Sequence, residues 1–305
     1  MNEALQTLGR ISLFAGVDRK GITCERLGGM TNRNYKIVVG VDSYMLRIAG
    51  AGTEEYIDRV AEETNAKVAA RAGVNAEVLF FDPSDGVQLT RFIEGAATMS
   101  PASFKDLGAV ERAGRAVRAM HDCGELFANE FNIFRMMDEY LGILEARQAW
   151  VPAGYRQVQE EAESVRALLA AHPVALAPCH CDPLAENFLD TGEWMYIVDW
   201  EYAGNNDPMW DLADLSVEAS FGPKQDAVLL EAYFGGLPDA AQWGRVVLHK
   251  AMCDLLWTLW GALQVANQNP AEDFTVYAQG RFERCRNLMT STGFQDHLAA
   301  VKAGT

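Results

Sequence analysis

The hydrophobic period changes once along this 305-residue chain, and that change constrains the fold more than any other feature. Within the first hundred residues the pattern is largely strand-like. Tyr35-Lys36-Ile37-Val38-Val39 and Ser43-Tyr44-Met45-Leu46-Arg47-Ile48 flank Gly40-Val41-Asp42, so residues 22–48 read as a hairpin. Glu54 to Ala72 is rich in Ala, Glu and Arg, has apolar residues at helical spacing and stops at Gly73, which predicts one helix. Glu77–Phe81 and Val87–Ile93 flank the turn-forming cluster Asp82-Pro83-Ser84-Asp85-Gly86, a second hairpin. Beyond residue 100 the period becomes helical, with helices predicted over 103–121, 131–148, 154–172, 223–235, 240–267 and 271–290. The stretch 176–214 interrupts them; Pro178, Pro183, Gly192, Gly204 and Pro208 break it into short strands and loops. No repeat or low-complexity linker separates the parts. The expectation is an α+β chain of two lobes, 1–94 and 95–305, joined near residue 94.

A formal charge of −16 disfavours nucleic acid or an anionic membrane as a partner, because either polyanion is repelled by the summed field. A small cationic or neutral ligand fits better. The N-terminus lacks a basic region followed by an apolar stretch, and no run of eighteen apolar residues occurs, so a cytoplasmic location is the expectation. The six cysteines are scattered in a chain large enough to need no staples, and reduced thiols follow. Cys179-His180-Cys181 is too tightly spaced for the usual zinc patterns and has no second ligand pair.

The chemistry-bearing stretch is His180-Cys181-Asp182-Pro183-Leu184-Ala185-Glu186-Asn187, followed by apolar Met195-Tyr196-Ile197-Val198 and then Asp199-Trp200-Glu201. Phosphoryl transfer needs a carboxylate to orient the attacking hydroxyl and accept its proton, and oxygen ligands for Mg²⁺. Asp182 suits the first role; Asn187 and Asp199 suit the second. Any one of these residues alone reads as a loop cap. Together, at this spacing and around a buried strand, they favour catalysis.

The pattern H-x-D-x-x-x-x-N followed by I-V-D-W-E resembles the catalytic and metal-binding loops of choline kinases and aminoglycoside phosphotransferases, which share their architecture with protein kinases. Asp199-Trp200-Glu201-Tyr202-Ala203-Gly204, with Asn206-Asp207-Pro208 and Asp211-Leu212-Ala213, is most similar to the bacterial choline kinase branch that supplies phosphocholine for surface decoration. The resemblance covers residues 22–290. It implies a two-lobed protein-kinase-like fold, with a small β-rich N-lobe and a large mainly helical C-lobe, and ATP and Mg²⁺ as cofactors. Leu27-Gly28-Gly29-Met30-Thr31-Asn32-Arg33-Asn34, by itself only a tight turn, matches the family's nucleotide loop, which places Gly28, Gly29, Thr31, Asn32 and Asn34 near phosphate. Arg47 stands where kinases carry the strand lysine. Its partner is expected to be Glu62, with Glu63 the rival one position away. Arg91, Phe92 and Ile93 would form the hinge facing adenine, and His180 would organise the catalytic loop through hydrogen bonds.

Trp257 and Trp260 are three residues apart and share a helix face. Such a pair is more often core packing than a ligand cage, although each ring can hold a quaternary ammonium with about 0.5–2 kcal/mol. The family carries a similar W-x-L-W helix and a Y-A-x-x-R-F helix, so the resemblance places Trp257, Trp260 and Tyr277 around a choline-like cation. Glu201, Glu218 and Asp211 are expected to add negative charge on the acceptor side. The function implied is transfer of the ATP γ-phosphate to choline. Kinases for ethanolamine, thiamine or an aminoglycoside, a nucleotide-binding pseudokinase regulator and a choline-binding module without chemistry remain as alternatives.

Overall fold

The computed structural model describes residues 2–28, 32–50 and 57–304. Helix α1 (Asn2–Leu8) precedes strands β1 (Ile22–Arg26), β2 (Arg33–Val39) and β3 (Asp42–Ile48). Helix α2 (Arg59–Arg71) follows, and then β4 (Val78–Asp82) and β5 (Val87–Arg91). Among the described residues the strands form an antiparallel sheet in the order β1-β2-β3-β5-β4. The β2–β3 register pairs Val39 with Asp42, which leaves Gly40 and Val41 as the turn; Gly40 supplies the positive φ, +62°, that such a tight turn needs. Because side chains alternate along a strand, Tyr35, Ile37, Leu46, Ile48 and Leu89 reach one buried face, where Ala4 and Leu8 of α1 cover them with Ile11 and Phe14. The sequence reading did not include α1.

Helix α2 starts later than the composition from Glu54 suggests. Asp58 is its N-cap, accepting from the amides of Val60 and Ala61, and residues 54–56 lie outside the described residues. Its buried face, Ala66, Val68 and Ala69, does not join the sheet core but the large cluster built on helix α3 (Leu107–His121). Asn65 Nδ2 donates to the Ala203 carbonyl at 2.8 Å and to Asn129 Oδ1 at 2.8 Å, so polar contacts hold the same helix to the large lobe.

The rest of the large lobe comprises β6 (Ala97–Thr98), α4 (Ile133–Ala146), α5 (Tyr155–Ala171), β7 (Ala177–Cys179), β8 (Phe188–Asp190), β9 (Met195–Ile197), β10 (Gly204–Asn206), α6 (Met209–Glu218), α7 (Pro223–Phe234), α8 (Ala240–Ala266), α9 (Phe274–Met289) and α10 (Phe294–Ala303). Two differences from the sequence reading have a physical cause. Helix α6 begins inside the stretch read as loop: Met209 through Ser216 are all buried, so its polar residues Asp211 and Asp214 face the interior instead of marking a solvent side. The second hairpin ends at Arg91, two residues short of Ile93. Helix α8 is apolar and long enough to cross a membrane by composition, yet its residues are buried by α6, α9 and α10, as in a core helix. All six cysteines are free thiols.

Candidate active site

The catalytic loop hangs from β7, whose Cys179 pairs with Gly204 of β10. Cys181 follows with φ +67°, a left-handed conformation that costs a non-glycine residue energy and must be held by its surroundings. Asp211 on α6 holds it: Oδ2 accepts from the His180 amide at 2.7 Å and Oδ1 from the Cys181 amide at 2.9 Å. Trp210 Nε1 donates to the Cys181 carbonyl at 3.2 Å. Behind Asp211 stand His121, with Nε2 at 3.1 Å, and then Tyr233, whose hydroxyl is 2.9 Å from His121 Nδ1. Asp211 is therefore committed beneath the loop, which corrects its expected place on the acceptor side.

His180 Nε2 lies 2.9 Å from the Val198 carbonyl and must donate, and its Nδ1 accepts from the Asp182 amide at 3.3 Å. Burial also lowers its pKa, so the ring is neutral and both nitrogens are spent on holding the loop. Asn187 Nδ2 donates to the Asp182 carbonyl at 3.1 Å, which leaves the amide oxygen as its ligand atom. The Val198 amide bonds the Asn187 carbonyl at 2.9 Å, so Asp182, Asn187 and Asp199 form one hydrogen-bonded unit. The Asp182 carboxyl is pushed well above the usual range by burial, and then by the charges of Glu218 and Asp199.

Asp199, at φ +71°, is raised to about 7 by burial and the neighbouring Glu201, against the pull of Arg47. Carboxylate oxygens of Glu62, Asp199 and Glu201 lie within 4.8 Å of one another. A hard divalent cation suits this all-oxygen set, and its charge would relieve the repulsion that raises Asp199. Arg47 pairs with Glu62 and lies 3.2 Å from Asp199. Glu63, the rival, pairs instead with Lys67 at the surface at 2.6 Å. Asn34 at the start of β2 donates from Nδ2 to the Gly28 carbonyl at 3.1 Å, and in the loop before it Asn32 Oδ1 accepts from the Gly50 amide at 3.1 Å. Gly29 and Thr31 lie outside the described residues. The Arg91 side chain is on the surface with Glu77 and its backbone amide donates to the Glu77 carbonyl at 2.9 Å, so neither group is free for a nucleotide, against the expectation. The Phe92 amide bonds the Ser43 carbonyl at 3.1 Å, its ring lies under Lys36, and Ile93 beside it is half-buried.

Aromatic rings of α8, α9 and the segment before β10 meet edge to face. Trp257 contacts Tyr202 and Trp260 at 5.7 and 6.3 Å between centroids, and Trp260 contacts Tyr277 and Phe274 at 5.6 and 5.5 Å. Trp257 Nε1 is buried without a hydrogen-bond partner. Arg281, four residues beyond Tyr277, lies 4.7 Å over its ring, bonds Glu218 at 2.7 Å and reaches Asp254 at 3.4 Å. Two expectations change as a result. Glu218 is the partner of an internal arginine and not a free acceptor-side charge, and one face of Tyr277 already carries a cation. Glu201, also expected on the acceptor side, is bonded to Arg59 at 2.5 Å and stands 3.8 Å from Arg47.

Residues 23–244 match the model of the phosphotransferase enzyme family. The chain belongs to that family. A crystal structure of a choline/ethanolamine kinase family protein from Mesorhizobium loti is 53% identical, with a TM-score of 0.90 over 99% of this chain and 98% of that one. The choline kinase LicA from Streptococcus pneumoniae is 26% identical, with a TM-score of 0.76 over 97% and 99%. A LicA structure in complex with AMP, also 26% identical, gives 0.70 over 95% and 97%. Within the phosphotransferases, this chain is thus a member of the choline/ethanolamine kinase family.

The sequence reading of this phosphotransferase passed over Arg59, Tyr202 and Arg281. Arg59 shares one guanidinium nitrogen between Glu62 at 2.6 Å and Glu201 at 2.5 Å. Its only signal was the i,i+3 spacing to Glu62, and that of Arg281 the i,i+4 spacing to Tyr277. The choice between the two glutamates can be tested. Glu62→Gln breaks a buried ion pair and should lower stability by about 3 kcal/mol and kcat/KM by more than about tenfold, whereas Glu63→Gln should stay within about 0.5 kcal/mol of wild type. Thermal unfolding and steady-state kinetics of both variants check this.

Proposed function

We propose that this phosphotransferase transfers the γ-phosphate of ATP to the hydroxyl of choline. The observation that carries the acceptor assignment is the cluster of Tyr202, Trp257, Trp260 and Tyr277, with Tyr277 under Arg281 and Arg281 bonded to Glu218, the charge that acts most on Asp182. A quaternary ammonium has no N–H to donate and is held by aromatic faces. A primary ammonium has three donors and needs carboxylate oxygens; Glu218 and Asp254 carry ion pairs to Arg281 and Arg284, and Glu218 Oε1 and Asp214 Oδ2 are the carboxylate oxygens there without a hydrogen bond. An aminoglycoside, with several ammonium groups, needs still more free carboxylates. The similarity to the choline kinase LicA and the AMP held by a LicA structure support the same reading.

In this mechanism Asp182 orients the choline hydroxyl and accepts its proton as the oxygen attacks the γ-phosphorus in line, while the bond from that phosphorus to the β–γ bridging oxygen breaks and ADP leaves. The protein fixes Asp182 through the two backbone bonds to Asp211 and through His180, so the carboxylate needs no reorganisation during transfer. Arg47, braced by Glu62, presents a fixed positive charge to the nucleotide phosphates. Asn187 and Asp199 would hold Mg²⁺, which would supply charge neutralisation to the nucleotide phosphates.

Purified protein with Mg²⁺ and ATP is expected to consume ATP when given choline, and much less when given ethanolamine, thiamine or an aminoglycoside. Trp257→Ala and Trp260→Ala should each raise the choline KM by about tenfold while leaving the ATP KM within about twofold. Turnover of another acceptor with choline inert would sink the choline assignment, and so would indifference of the choline KM to both tryptophans.

A further inference from the structure

Helix α8 contains two glycines, Gly244 and Gly261, in its 27 residues. Glycine is a poor helix former, so its presence inside a long helix calls for a packing reason. At Gly261 the reason is visible: an added Cβ would stand 2.7 Å from Cδ1 and 3.2 Å from Cε1 of Tyr277, and 3.0 Å from Cβ of Ala278. A ring carbon cannot rotate away as the tip of a flexible side chain can. Retreat is also limited on other sides, by the Arg281 guanidinium 4.7 Å over the ring and by Trp260 and Phe274 at 5.6 and 6.1 Å between centroids.

We propose that Gly261 is a specificity-determining residue. By offering no side chain it lets Tyr277 lie back against α8, and this sets the width of the pocket for a bulky alkylammonium acceptor. The inference rests on the amino-alcohol reading above. A trimethylammonium group fills the space between rings and depends on their separation, whereas a primary ammonium is narrower and depends on hydrogen-bond acceptors. A methyl group at position 261 therefore displaces Tyr277 at the expense of choline more than of ethanolamine.

The test is steady-state kinetics with choline, ethanolamine and ATP on wild type, Gly261→Ala, Tyr277→Ala and the double variant. Gly261→Ala is expected to raise the choline KM about tenfold and the ethanolamine KM less than about threefold, with the ATP KM within about twofold. In the Tyr277→Ala background the contacts with the ring are gone and the 3.0 Å approach to Ala278 Cβ remains, which does not touch the acceptor side, so adding Gly261→Ala should change the choline KM by less than about twofold. An unmoved choline KM overturns the inference, as does a parallel rise in the ATP KM or the same penalty recurring without the tyrosine ring. Should the single variant fail to fold, a folded double variant with the choline KM of Tyr277→Ala supports the assignment, and failure of both overturns it. Wild type inert toward both amines overturns the amino-alcohol reading and this inference with it; an active wild type with an indifferent Gly261→Ala overturns this inference alone.

Discussion

Asp182→Asn should lower kcat by about 10³-fold while nucleotide binding stays near that of wild type, because the amide keeps the shape of the side chain but cannot take the proton. Neither His180 nor Asp199 competes for this role. His180 is neutral with both ring nitrogens engaged, and Asp199 is bonded to Arg47. A pH profile adds an independent reading. The carboxyl of Asp182 is raised by burial and then by Glu218 and Asp199, so in the free enzyme it protonates at a higher pH than an ordinary carboxyl. The active form is the carboxylate, hence kcat/KM is expected to fall as pH drops through that raised pKa, above the ordinary value of 3.8. Retention of more than about a tenth of wild-type turnover by Asp182→Asn would remove Asp182 from the chemistry.

Asp211→Ala should be nearly as damaging for a different reason. The carboxylate accepts two backbone amides on either side of the left-handed turn at Cys181 and is itself buried with His121. Its loss leaves those donors without acceptors in the interior and removes what holds the turn. We expect a cost of about 3–5 kcal/mol, read as a fall of roughly 6–15 °C in Tm, together with a kcat at least about tenfold lower. Asp211→Asn keeps one acceptor oxygen and should lose less on both measures. Thermal unfolding and turnover of the two variants distinguish this role from a contact with substrate: a carboxylate that only bound the acceptor would move KM and leave Tm unchanged.

What the sequence determined by itself follows from interactions local along the chain. Period 2 alternation located β2, β3 and β5, period 3.6 located most of the helices, and the spacing from His180 to Asn187 and on to Asp199 put the chemical groups on the turns around β8 and β9. These are short-range rules, and they failed where burial was complete or caps decided the boundary: the polar residues of α6 face the interior, and α2 waits for Asp58. Only the tertiary structure decided how the charges are paired. Asp211 serves the catalytic loop, Glu201 meets Arg59, Glu62 and not Glu63 meets Arg47, and Glu218 meets Arg281, whose guanidinium also covers one face of Tyr277. Several of these partners are more than thirty residues apart, so neither spacing nor composition carries their pairing. It is fixed by which side chains are desolvated together, since a buried charge must find a partner and the fold determines which one is within reach.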